Sequence, residues 1–152
     1  MRTLAATLVL LCASLVCSDV DGGEWIYFGS DTQGSDFFYD SESMDFSSKN
    51  IIRVWKKRVV SEEARKQIVA DRTEAGLVTD GYDRLSYSLI REEINCKKRE
   101  SNILAIYDCT KAGDVISRVN VPGVMRSWQG LLPGSIGDML RKAVCKMMNT
   151  GK

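Results

Sequence analysis

Between residues 83 and 121, three β-rich segments follow one another on links too short for anything but antiparallel pairing. "DRLSYSLIREEINC" (83–96), "NILAIYDC" (102–109) and "VISRVNV" (115–121) are joined by "KKRES" (97–101) and "TKAGD" (110–114). A parallel pair needs a crossover of a dozen or more residues, which five cannot supply. The segments therefore predict a meander within one antiparallel sheet. Upstream, "EWIYF" (24–28) and "FFYD" (37–40) flank the turn-forming "GSDTQGSD" (29–36) and read as a hairpin. "SESMDFSSKN" (41–50) reads as a polar loop, and "IIRVWKKRVV" (51–60) as a further strand dense in β-branched residues.

Two helices are signalled. Ser61 offers an N-cap, Glu62 and Glu63 follow in the first turn, and Gly76 stops a helix running to about Ala75. Its apolar stripe (Ala64, Ile68, Ala75) is thin, so it should lie on the surface. After the irregular "PGVMRSWQGLLPG" (122–134), Ser135 caps a second helix, and Asp138 three residues on approaches a capping box. Ile136, Met139, Leu140, Ala143 and Val144 then share one face of a helix over 135–148. Only the sheet offers a surface large enough to cover that face. The expected architecture is α+β: about six antiparallel strands, a C-terminal amphipathic helix packed on one face, and a shorter surface helix between strands.

The start of the chain has the order of an export signal. Arg2 is the positive residue, "TLAATLVLLCASLV" (3–16) the apolar stretch, and small residues at Cys17 and Ser18 suggest a cut after Ser18. Residues 1–18 are thus read as a signal peptide and 19–152 as one domain. Leu11 and Val16 precede Cys12 and Cys17, where lipoprotein processing favours a very small residue, so a lipid anchor is not expected. The mature chain would lie in an oxidising compartment with Cys96, Cys109 and Cys145. Cys96 sits beside the 97–101 turn, and Cys109 lies about seven residues along the ladder, roughly 23 Å away at ~3.3 Å per residue. A disulfide needs Cα atoms within about 7 Å, so these two cannot pair without breaking the hairpin. Cys145, at the edge of the last helix's apolar face, can reach the sheet and pair with Cys96 or with Cys109.

Composition narrows the chemistry. There is no histidine, so the commonest general base and metal ligand are missing. Loss of Arg2 with the leader takes the 21 basic residues to 20, equal to the 20 acidic ones. A neutral chain has no global field for nucleic acid. Glu92 and Glu93, adjacent on a strand, point to opposite faces and cannot form a two-carboxylate site; they read as strand-end charges near Arg91 and Lys97. In "RVWKKR" (53–58), Arg53, Trp55 and Lys57 share one strand face while Val54, Lys56 and Arg58 share the other. The simpler reading of that run is an edge or solvated strand with lysine gatekeepers; the functional one is a face for an acidic protein partner. Trp128, in the loop before the last helix, is a further candidate binding residue. Asp31 and Asp36 lack calcium-loop spacing, and no phosphate loop, zinc spacing or nucleophile elbow is present. No cofactor, metal, catalytic residue or nucleic-acid partner is expected.

"EWIYFGSD", "FFYDSESMDFSSKNIIRVWKKRVVSEE", "LSYSLIREEINC", "SNILAIYDC" and "LLPGSIGDMLRKAVC" together, in this order and spacing, resemble the bacterial surface-adhesin protein E family from about Glu24 to Cys145. The resemblance implies a six-stranded antiparallel sheet whose C-terminal helix lies on the concave face, tethered by a disulfide between Cys96 and Cys145. Cys109 then departs from the motif and is left as a candidate free thiol. It implies a non-enzymatic binding module of the periplasm, cell surface or outer membrane, with an extracellular-matrix or envelope protein as partner. Edge strands add homodimerisation as an expectation. The alternative is a periplasmic small-molecule binding or accessory protein using a helix–sheet groove.

Overall fold

A computed structural model describes residue 17 and residues 23–150; the expected signal-peptide cut after Ser18 lies outside these residues. Among the described residues eight strands form one antiparallel sheet: β1 (Trp25–Ser30), β2 (Asp36–Asp40), β3 (Asp45–Ser48), β4 (Ile51–Val59), β5 (Leu85–Asn95), β6 (Glu100–Thr110), β7 (Val115–Asn120) and β8 (Gln129–Gly130). Six of them make the main path, in the order β1-β2-β4-β5-β6-β7. β3 and β8 are short additions that pair with β4 and β6. Both fall in segments expected to be irregular. They are four and two residues long and, apart from Phe46, polar or small, so little in their composition marks them; they form because a long neighbour leaves ladder positions to fill.

The expected meander is present. Tyr87 faces Cys109, Ile94 faces Ser101, and Tyr107 faces Arg118. Arg99 closes the β5–β6 turn at φ 58°, and bulges at 85–87 and 91–92 shift the register within the hairpin.

Helix α1 (Glu62–Glu74) starts where Ser61 Oγ accepts the Ala64 N–H at 3.1 Å. It ends at Gly76, whose φ of +66° suits glycine. Ala64 is its one fully buried residue, set against Val60, Tyr82 and Leu85. Helix α2 (Ile136–Thr150) lies over the sheet, with Leu140 and Val144 packed on Tyr39, Ile52, Val54 and Ile94. The Cys96–Cys145 disulfide joins its third turn to the end of β5, with Cα atoms 5.8 Å apart.

The start of α2 is a small charge cluster. Ser135 Oγ accepts the Asp138 N–H at 3.2 Å, and the buried Asp138 carboxylate accepts the Gly134 N–H at 3.1 Å. Lys142 and Arg141 each approach that carboxylate at 2.9 Å, and Arg99 lies 3.5 Å away. The Lys142 contact, the Gly134 N–H and Arg141 hold the Asp138 carboxyl far below its ordinary 3.8. A carboxyl depressed in the folded state adds stability that is full above its unfolded value and is lost as pH falls toward the folded one. Asp138→Asn should therefore lower the melting temperature at pH 7. The gap to wild type should shrink as pH falls below 3.8, measured by thermal unfolding at several pH values. Ser135→Ala should cost about 1 kcal/mol in urea unfolding through loss of the cap.

Candidate binding face

Strand alternation divides the 53–58 run between two environments. Ile52 and Val54 pack under α2, and Lys56 shares their inner face by alternation; Arg53, Trp55 and Lys57 point to the opposite, outer face. β4 is an interior strand, flanked by β2 and β3 on one side and β5 on the other. The edge or solvated strand expected here is thus corrected: the lysines do not guard an edge. Lys56 is buried, its Nζ 2.7 Å from Glu92 Oε2, with the two side chains 10% and 5% exposed. Glu92, read from sequence as a strand-end charge, is corrected likewise to half of a buried ion pair. On the other side of the sheet, Glu93 accepts Arg53 Nε at 2.6 Å, so the two adjacent glutamates do face opposite ways.

The outer face is built from cross-strand pairs. Trp55 stands opposite Arg91, Lys57 opposite Leu89, and Tyr107 opposite Arg118. Its apolar cluster comprises Cys17, Tyr87, Leu89 and Cys109, with Trp25, Trp55, Tyr107 and Val115 packed around them. No residue of either helix belongs to that cluster. Cations lie over the rings: Lys57 Nζ is 4.6 Å from the Tyr87 centroid and 5.4 Å from that of Trp25. Arg91 sits 5.8 Å from Trp55 and Arg118 4.5 Å from Tyr107. Trp55 and Tyr107 pack tilted at 5.4 Å. Each guanidinium or ammonium is drawn to the negative face of a ring, which also fixes the long side chain in place. The result is a surface of rings and cations across β1, β4, β5, β6 and β7, in which Arg53 pairs with Glu93 and Asp45 while Lys57, Arg91 and Arg118 lie over rings.

Cys109 is not a free thiol. It is bonded to Cys17, with Cα atoms 6.5 Å apart, and both are buried on this face. The Cys17 N–H also donates to Gly113 O at 2.8 Å. Cys109 looks unpartnered in the sequence because Cys17 sits among residues with the composition of a leader.

The structure brings Arg53, Trp55 and Lys57 together on the outer face, but not Trp128. Trp128 lies in the exposed strap between β7 and α2, just before Gln129 pairs with Ser101 at the outer edge of β6. Arg91, Tyr107 and Arg118 join the face and were missed in the sequence. Their signal was the register, since each lies directly across from a residue of the face already in view. A separate cleft of about 520 Å³ opens beside the Cys96–Cys145 disulfide, lined by Lys49, Asn50, Lys97, Arg141 and Met148. Among the described residues there is no group of three or more metal-ligating side chains. None of their helices is long and apolar enough to cross a membrane.

Known proteins agree with this architecture. No curated protein matches the sequence. A structure of Haemophilus influenzae protein E covers 84% of this chain and 88% of its own, at 12% identity and a TM-score of 0.51. Its crystal form II covers 82% and 89%, at 11% identity and a TM-score of 0.54. At such identities the likeness is one of fold. The sequence itself matches the family described as surface-adhesin protein E over residues 25–146, so this chain belongs to the surface-adhesin protein E family.

Proposed function

We infer that this is an exported, non-enzymatic protein of the cell envelope that binds an acidic protein partner through the outer sheet face. The observation that carries this reading is the surface made by Trp25, Trp55, Lys57, Arg91, Tyr107 and Arg118, whose apolar cluster takes in no residue of either helix and on which Lys57, Arg91 and Arg118 each lie over a ring. Rigid rings supply contact area at low entropic cost, and the cations steer and orient an acidic surface. Family membership supports a surface adhesin-like role, with a matrix or envelope protein as the partner. A second reading, small-molecule or accessory binding between helix and sheet, draws support from the 520 Å³ cleft beside Cys96 and Cys145.

Reversing the exposed cations Arg91→Glu and Arg118→Glu separates the two readings. Wild type and the double variant are used to capture partners from envelope extract and matrix preparations, beside Lys66→Glu on α1 as a control. The partner should be lost at least tenfold in the double variant, retained by the control, and released by salt. Equal capture by all three proteins, or loss only when the Lys97 cleft is altered, contradicts the outer-face reading.

A further inference from the structure

Cys17 behaves as part of the folded domain. It is 1% exposed and packs with Tyr87 and Leu89; its N–H is satisfied by Gly113, and its sulfur is bonded to Cys109. We propose that the leader is cut upstream of Cys17, so that the mature chain keeps this residue as a disulfide cysteine and carries no lipid on it. The proposal rests on the export reading above.

Each other fate of Cys17 conflicts with its surroundings. A cut after Ser18 would discard it and leave Cys109, which is fully buried, as a lone thiol in the apolar cluster. A lipid thioether would occupy the sulfur that the disulfide uses, and one sulfur cannot hold both bonds. Upstream, Ala13 and Ser14 supply the small residues that signal processing favours before a cut. The apolar run from Thr3 to Leu11 remains, within the ~7–15 residues of a signal core.

Cleavage is a hydrolysis: water adds across the peptide bond, leaving a carboxylate on the leader and an amine on the mature chain. Closing Cys17–Cys109 then removes two electrons and two protons from the thiols. A disulfide-bearing oxidant of the export compartment accepts them and becomes a dithiol. The new N-terminus then begins within four residues of that bond.

The test is N-terminal sequencing and intact mass of the full chain exported by a bacterial host, with thiols alkylated before and after reduction. The expected first residue is Ser14 or Leu15. No acyl mass should be present, no cysteine should react before reduction, and four (Cys17, Cys96, Cys109 and Cys145) should react after it. A chain starting at Asp19 with a reactive Cys109 overturns the proposal while leaving export intact. So does an acylated N-terminal Cys17. A chain that keeps Met1 with reactive thiols overturns the export reading as well. In Cys17→Ser one thiol, Cys109, should become alkylatable under denaturing, non-reducing conditions; if none does, Cys109 has another partner and the proposal fails.

Discussion

Glu92→Gln should destabilise the fold by about 3–5 kcal/mol, because it leaves the Lys56 ammonium buried without its counter-charge. The two side chains lie 2.7 Å apart on the inner sheet face, 10% and 5% exposed, where little water can replace the lost carboxylate. For a domain of this size the loss corresponds to a fall in melting temperature of roughly 10 °C or more. Lys56→Met should cost a similar amount by stranding Glu92. The double variant Lys56→Met, Glu92→Leu should recover most of the loss, since well-packed apolar side chains can replace a buried pair at little or no cost. Urea unfolding of the two single variants and the double one gives the coupling directly. A Glu92→Gln loss under about 1 kcal/mol would mean that this pair is solvated.

Cys145→Ser and Cys109→Ser should each lower stability by about 4 kcal/mol, measured on the oxidised mature protein. The bonds close segments of 49 and 92 residues, and each restricts the unfolded chain strongly on that scale. They also act on different parts of the molecule. Cys96–Cys145 fastens α2 over the inner face, whereas Cys17–Cys109 lies in the outer one. Were Cys109 a free thiol, Cys109→Ser would leave the melting temperature nearly unchanged. Comparable losses in the two variants distinguish the paired arrangement.

The strands of the main path were legible because their signals are local: β-branched runs, short turns, and a meander that admits one kind of pairing. The capping residues Ser61 and Ser135 were legible for the same reason. The inner and outer faces of β4 followed from alternation, which puts Arg53, Trp55 and Lys57 on one side by residue order alone. What alternation cannot tell is which face will be covered. Lys56 and Glu92 read as solvated charges because nothing near them in sequence shows that the inner face is buried; α2, which packs on Ile52 and Val54 of that face, arrives some 40 residues after Glu92. Register was the other hidden quantity. Lys56 pairs with Ile90, so Glu92 stands diagonally two residues along, within reach of a long side chain. Arg91 and Arg118 join the outer face by the same cross-strand logic. Cys17 was not offered as the partner of Cys109 because its neighbours carry the composition of a leader and the two lie 92 residues apart.

On this account the outer sheet face is the binding surface. The most direct measurement is covalent footprinting of lysine, arginine and tryptophan side chains, with and without the captured partner bound. The account predicts that bound partner protects Lys57, Trp55, Arg91 and Arg118, while Trp128 in the strap and Lys97 at the α2 cleft react as before. Protection centred on Lys97 or Trp128, with Lys57 and Arg91 unchanged, would contradict it.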